Sequence, residues 1–250
     1  MSGDEYLNEI LKKYAVNEAG ARAAGNAIYP VIEKWGREHL LRSDFSGSLA
    51  KGTGISIGTD ADIFLSLTSG TPGTLSDMYN TLFNAVQAAG YPVRKQNVSV
   101  GTTVNGYTID LVPGKRQSQH GNDHSLYSSK KDSWIQTNVV NHIAHIIDRE
   151  RIDEIKILKI WRQLHQLTFP SFYLELAVID ALAHARRGNL AANVLTSLDH
   201  FRDKIEVVKY IDPANSNNTV SDLCNQFEKR AIAAKARETR GRSQWEQIVW

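Results

Sequence analysis

Apolar positions recur with two different periods along this 250-residue chain. Over residues 4–41 the spacing is three and four. Leu7, Ile10, Leu11 and Tyr14 fall on one stripe and Ile28, Val31, Ile32 and Trp35 on another, which predicts helices. Pro30 sits inside the second stripe and is expected to kink or interrupt it. From residue 44 to 112 the period shortens to two. Alternating runs at 60–67, 93–100 and 107–112 predict strands, with a helical run at 75–89 between the first two. Gly101 and Gly106 bracket the last turn region, as a hairpin-like connection requires. From residue 131 the pattern is helical again, at 135–149, 152–167, 172–186, 190–207 and from 220 onward. Pro170 and Gly188 separate some of these helices, and Pro213 with Asn215, Asn217 and Asn218 marks a loop. The predicted fold is α+β, with a small mixed-sheet lobe near residues 40–115 and helices before and after it. The expected division is an α/β lobe with N-terminal helices over 1–130, a helical lobe over 131–250, and a ligand cleft between them.

Composition narrows the class. Hydrophobic residues make up 42% and charged residues 22% of the chain, an ordinary globular balance that excludes disorder as the main state. A net charge of +2 suits phosphate-bearing ligands but is too small for a dedicated nucleic-acid coat. Cys224 is the only cysteine, so an intrachain disulfide and a cysteine-rich zinc ribbon are both excluded. The opening MSGDEYLNEILKKY mixes acids and bases and lacks the apolar core of a signal peptide. No stretch approaches the roughly 18 apolar residues of a membrane span. A cytosolic protein without a membrane partner is expected.

The chemistry concentrates in DFSGSLAKGTGISIGTDADIFLSL, residues 44–67. On a strand, alternate residues share a face. Ala61, Ile63, Leu65 and Leu67 then form a core face, which leaves Asp60 and Asp62 together on the other. Two such charges repel and raise each other's pKa unless a cation neutralises them, and hard Mg²⁺ prefers carboxylate oxygens. Asp110, in NGYTIDLVPG, is set in the same way opposite Tyr107, Ile109 and Leu111. If its strand lies beside residues 60–67, three carboxylates converge and can hold two metals on a triphosphate. Asp-x-Asp alone is a weak signal, because exposed aspartates near strand ends are commonplace. The Gly47-Ser48 turn upstream sharpens it, since its N–H groups and hydroxyl can hold phosphate oxygens.

Gly47-Ser48, Lys51-Gly52-Thr53, Asp60-x-Asp62 and Asp110 together resemble the polymerase-β-type nucleotidyltransferase signature. The GSLAKGT…TDADIFLSL wording is most similar to the branch containing 2′-5′-oligoadenylate synthetases, cyclic GMP-AMP synthase and bacterial CD-NTases. The resemblance runs from about Asp44 to the C-terminus. It implies a polymerase-β-like lobe, Asp60, Asp62 and Asp110 as catalytic metal ligands, two Mg²⁺ per site (with Mn²⁺ able to substitute), and NTP substrates including ATP. The implied product is a cyclic or short linear oligonucleotide messenger read by a downstream effector in antiviral or antiphage (CBASS-type) defence. Whether RNA or a protein activates the chain stays open. A zinc-binding insertion like that of the animal cyclic GMP-AMP synthase is absent, which speaks against double-stranded DNA sensing.

The helical half adds to this resemblance. KKDSWIQTNVVNHI looks like the segment leading from the sheet into the helices. In IKILKIWRQL, Lys156, Lys159 and Gln163 share a stripe and Ile157, Ile160 and Leu164 a buried one. By resemblance Lys159 is the phosphate contact, with Lys156 as the fallback. In FPSFYLELAVIDAL, Ser171 is placed to cap a helix and touch the triphosphate, and Phe172 either stacks on a base or packs the core. YIDPANSNNTV is read as scaffolding. His142 and His145, with His120 and His124, are set aside as a zinc site. The basic C-terminal run of Lys229, Arg230, Lys235, Arg237, Arg240 and Arg242 is read as a salt-laced helix. The rival functions are a nucleotidyltransferase that modifies tRNA or protein, and a non-catalytic nucleotide-binding module.

Overall fold

The computed structural model describes all 250 residues except Thr59, the first residue of the TDAD wording. Helices α1 (Gly3–Lys13) and α2 (Glu18–Gly36) come first, followed by β1 (Leu40–Phe45), the short α3 (Gly47–Lys51) and β2 (Ala61–Leu67). Then come α4 (Leu75–Ala88), β3 (Val93–Lys95), β4 (Val100–Val104), β5 (Tyr107–Arg116), β6 (His124–Ser128) and β7 (Ser133–Thr137). The remainder is α5 (Val139–Ile147), α6 (Ile152–Leu164), α7 (Ser171–Ala181), α8 (Leu190–Lys204), the β8–β9 hairpin (Ile211–Asp212 and Asn215–Thr219) and α9 (Gln226–Arg240). Among the described residues, no helix is long and apolar enough to cross a membrane.

Contacts divide the chain into two units. One comprises Met1–Val16, Gly52–Gly58 and Ala144–Trp250; the other comprises Asn17–Lys51 and Thr59–Ile143. A single boundary at residue 130 therefore does not describe the chain. Leu7 and Ile10 of α1 are fully or almost fully buried in the core of the helical unit, and Ile55 joins them. An amphipathic helix goes where its apolar stripe finds a core, and the sequence does not say which core that is.

The sheet unit is built on a seven-stranded mixed sheet in the order β1-β2-β5-β4-β3, with β6 and β7 continuing from the far end of β5. β2 and β5 run parallel, and every other pair is antiparallel. β2 is central: Ala61 and Ile63 through Leu67 are all buried, so both of its faces are covered beyond Asp62. Pro30 does not interrupt α2, which runs unbroken through it. The proline lies on the exposed face, where water can satisfy the carbonyl that loses its donor.

Two further differences come from reading the period. Residues 135–137 belong to β7, and helix begins only at Val139. Trp134, Ile135 and Thr137 are aromatic or β-branched and pair with β6, and a five-residue stretch is too short to separate the two periods. Residues 93–100 are the ends of two strands joined by a turn at 96–99, and Gly101 lies inside β4, not at a turn.

The helical unit packs α1, the last turn of α5 from Ala144, and α6–α9 around Trp161, Tyr173 and Phe201, all fully buried. Large apolar side chains each contribute about 1.5–3 kcal/mol on full burial. Trp161 also donates its indole N–H to Thr239 Oγ1 at 3.0 Å. Almost the whole of α6 from Glu154 to Arg162 is buried, so this helix has no free polar face there.

Candidate functional site

The sheet register brings two of the predicted aspartates side by side. Asp62 on β2 is the direct partner of Asp110 on parallel β5, and adjacent strands lie about 4.8 Å apart. Asp60 stands just before β2, two residues upstream on the Asp62 side, and is exposed. Asp62 is half-buried and Asp110 buried. On the other side of Asp62 the chain returns through Ser46, whose N–H donates to the Asp62 carbonyl at 2.8 Å.

Gly47 follows with φ +56°, and a Cβ there would stand 1.8 Å from Asp62 Oδ2. No other residue type fits: the left-handed backbone disfavours a side chain, and the carboxylate fills the space one would need. Ser48 is the next residue of α3 and is half-buried; Lys51 closes that helix and is buried.

The row extends across two more strands. Gly101 on β4 is the partner of Asp110, and Arg94 on β3 is the partner of Gly101. The Arg94 side chain crosses above Gly101 and places Nη2 3.2 Å from Asp110 Oδ1 and 3.9 Å from Asp60 Oδ2. Gln96 Nε2 donates to the same Asp110 oxygen at 3.0 Å, and Ser99 Oγ reaches Oδ2 at 3.5 Å. The Tyr79 hydroxyl braces this 96–99 turn by donating to the Gln96 and Ser99 carbonyls. Burial pushes the Asp110 carboxyl above its ordinary pKa and the charge of Asp60 adds to this, while Arg94 and the Gln96 and Ser99 hydrogen bonds pull it down. Repulsion between Asp60 and Asp110 is what a bound cation would relieve.

Sequence reasoning did not find Arg94, Gln96 or Ser99. A period-two pattern marks the strand of Arg94, but only the register shows that it faces Asp110 across a glycine.

Lys159, Ser171 and Phe172 belong to the helical unit. Lys159 is not on an open polar stripe. Its Nζ donates to Glu175 Oε1 at 2.6 Å, to Thr53 Oγ1 at 2.9 Å and to the Thr53 carbonyl at 3.3 Å, all buried. An ammonium has three donors, and these contacts can occupy all of them. The Thr53 hydroxyl in turn donates to Glu175 at 2.9 Å.

Ser171 is the first residue of α7, and the capping position is taken by Pro170, which offers no side-chain cap. The expected cap is thus absent. Ser171 Oγ instead accepts from Arg162 Nη1 at 3.2 Å, and the same nitrogen donates to the Phe169 carbonyl at 2.7 Å. Phe172 is partly buried against the helical core. Lys156 is half-buried on α6.

The donor set at the aspartate row is all oxygen, suited to a hard divalent ion, and its negative charge is met here by a guanidinium. Among the described residues, no group of three His, Cys, Asp or Glu side chains is close enough to hold a metal ion. His124 is a sheet residue: buried, with Nδ1 donating to the Asn122 carbonyl at 2.8 Å and Nε2 accepting from Ser66 at 2.8 Å. Burial pushes its pKa below the ordinary histidine value. In the C-terminal basic run, Lys235 and Arg242 pair with Glu238, and Arg240 pairs with Asp199. Asp212 of the scaffolding hairpin accepts from the Ala214 N–H and from Asn218 Nδ2.

No protein-family model and no curated protein matches this chain. Solved structures do match it in fold. The CdnC of E. coli MS115-1, in its complex with HORMA-deltaN, aligns with a TM-score of 0.77 at 19% identity, over 98% of this chain and 96% of its own. The same CdnC has also been solved with ATP. The CD-NTase CdnG of Bradyrhizobium diazoefficiens, in complex with GTP, gives 0.79 at 13% identity, covering 96% and 90%. The CdnE cyclic dinucleotide synthase of Elizabethkingia meningoseptica, with GTP and Apcpp, gives 0.62 at 16%, covering 88% and 92%. Likeness over this span, at identities this low, is likeness of architecture: this chain has the CD-NTase fold.

Proposed function

We propose that this chain is a Mg²⁺-dependent nucleotidyltransferase that joins NTPs, ATP among them, into a cyclic or short linear oligonucleotide messenger. The observation that carries the reading is the Asp62–Asp110 register pair, with Asp60 two residues upstream and Gly47 closed against the Asp62 carboxylate. Nucleotide-bound relatives of the same fold support it: CdnC was solved with ATP and CdnG with GTP.

Asp60, Asp62 and Asp110 would hold two divalent ions, with Mn²⁺ able to replace Mg²⁺. Bound there, the metal supplies charge neutralisation on the triphosphate and a lowered pKa for the attacking hydroxyl. Asp110, buried and paired in register with Asp62, is the candidate acceptor for that hydroxyl proton. The backbone of Gly47 and the Ser48 hydroxyl orient phosphate oxygens beside Asp62. Lys159 and Ser171 are the proposed phosphate contacts of the helical unit, with Phe172 as the proposed base contact. For Lys159 this requires giving up a bond to Thr53 while the ion pair to Glu175 stays.

The messenger would be read by a receptor protein in antiphage defence. A regulatory protein partner is a further expectation, since the CdnC relative was solved in complex with HORMA-deltaN. The test is incubation with labelled NTPs and Mg²⁺, with and without total RNA, followed by mass spectrometry of the protein-free supernatant. A small phosphodiester product is expected. Label found only on added tRNA or protein would identify a macromolecule-modifying transferase. No incorporation from any NTP mixture in either setting would leave a nucleotide-binding module.

A further inference from the structure

Arg94 reaches two carboxylates of the aspartate row, Asp60 and Asp110, and the strand register explains how it gets there. Arg94, Gly101 and Asp110 are successive partners across β3, β4 and β5. With strands about 4.8 Å apart, the Arg94 Cα is roughly 10 Å from that of Asp110. A guanidinium spans that distance only by lying flat over the strand between, and Gly101 leaves the path open. A Cβ on Gly101 would stand 2.7 Å from Arg94 Nε and 2.8 Å from Cγ and Cζ. Gly101 is inside a regular strand and carries no left-handed φ, so its backbone gives no reason for glycine. The crossing arginine does.

The contact is made for exchange. The Arg94 side chain is 45% exposed, and its two carboxylate partners are 3.2 and 3.9 Å away, so it can leave into water at small cost. Asp110 does not depend on it for position, because Gln96 and Ser99 also hold that carboxylate.

We infer that Arg94 is the resident cation of this row: its guanidinium holds Asp60 and Asp110 while no divalent ion is bound, and yields their oxygens when one binds. Gly101 is then the positioning residue that gives the guanidinium its path. The inference rests on the metal-site reading proposed above. It adds that part of the site's negative charge is already met without metal, so that metal binding is a competition between Mn²⁺ or Mg²⁺ and an arginine of the same chain.

The experiment measures Mn²⁺ binding alone, with no nucleotide, by electron paramagnetic resonance titration and by thermal shift against EDTA. It compares wild type, Arg94→Met, Arg94→Lys and Gly101→Ala. Removal of a half-exposed competing ion pair should tighten the Mn²⁺ dissociation constant roughly three- to tenfold in Arg94→Met. Gly101→Ala should tighten it similarly while keeping the arginine charge, because the new methyl displaces the guanidinium. Arg94→Lys should fall between, its point charge being unable to bridge two carboxylates. Both Arg94→Met and Gly101→Ala should melt lower than wild type in EDTA and gain more on Mn²⁺ addition.

Wild-type Mn²⁺ affinity in both Arg94→Met and Gly101→Ala would overturn the inference while leaving the metal site standing. Tightening in Arg94→Met with none in a folded Gly101→Ala would overturn it as well, in favour of a long-range charge effect. Absence of Mn²⁺ binding in every form, matched by Asp62→Asn, would overturn the metal-site reading itself.

Discussion

Each unit of this molecule carries a pairing of a carboxylate with a cation, and the two pairings differ in how far water reaches them. In the sheet unit Arg94 reaches Asp110 at 3.2 Å from a position still 45% exposed. In the helical unit Lys159 meets Glu175 at 2.6 Å with the two side chains only 3% and 1% exposed. Water competes for the first cation at every moment, so another cation can replace it. The second cannot be exchanged without stranding a charge in the core, where desolvation costs several kcal/mol per ion. The metal site proposed for the aspartate row fits the first kind of pair. The second kind fixes a conformation: through Thr53 it ties residues 52–58, which follow the Gly47-Ser48 turn in sequence, into the helical unit.

The largest expected effect breaks the exchangeable side altogether. Asp62→Asn keeps the shape of β2 but removes a charged ligand from the Asp62–Asp110 pair. Loss of about 4 kcal/mol of metal-dependent stabilisation corresponds to a roughly thousandfold fall in turnover. Asp110→Asn should be nearly as damaging. Steady-state NTP incorporation measures both, with circular dichroism checking the fold. Undiminished incorporation by a folded Asp62→Asn would remove this row from catalysis.

The locked side is tested through stability. Lys159→Ala leaves Glu175 buried and uncompensated, for an expected loss of about 3–5 kcal/mol in urea denaturation. Pairing it with Glu175→Gln should recover much of that loss, because the remaining amide can be satisfied by Thr53. A cost below about 1 kcal/mol for Lys159→Ala would mean that this pair is exchangeable too, and the contrast between the units would collapse. Binding of a non-hydrolysable ATP analogue to the double variant then reports on phosphate contact separately from folding.

A third substitution sharpens the sheet side. Gly47→Ala puts a methyl where Asp62 Oδ2 stands and asks alanine for φ +56°. Displacing the carboxylate by even about 1 Å should cost on the order of a hundredfold in turnover, with a smaller loss of stability. Wild-type turnover in Gly47→Ala would show that the turn yields more easily than Asp62 moves.

The strands of Asp62 and Asp110, the helix over α4 and the helical half were legible because their periods are long and clean. So was the Gly-Ser turn, which needs only local chemistry. What stayed hidden depends on partners far away in sequence. Lys159 looks like part of a polar stripe because Lys156 and Gln163 flank it, and only the fold reveals that Glu175 and Thr53 are beside it. Arg94 is invisible for the same reason. Gly101 reads from sequence as the edge of a turn region, because glycine in a strand and glycine beside a hairpin look alike until the register is known. Residues 135–137 differ: Ile-Gln-Thr carries too few repeats to separate the two periods.

The smallest expected effect concerns the seam between the two kinds of role. Ser171 does not cap α7, so its replacement should not carry the usual capping cost. Its hydroxyl accepts a 3.2 Å hydrogen bond from Arg162, whose same nitrogen keeps a stronger partner in the Phe169 carbonyl at 2.7 Å. Ser171→Ala should therefore destabilise by only about 0.5–1 kcal/mol, a melting shift of roughly 1–4 °C for a chain of this size. If the hydroxyl also touches the triphosphate, titration calorimetry with a non-hydrolysable ATP analogue should show affinity falling several-fold, beyond what so small a shift can produce. Unchanged affinity with the small melting shift would assign Ser171 wholly to the buried Arg162 network. Ser171 would then drop out of the proposed phosphate contacts, leaving Lys159 as the one proposed for the helical unit.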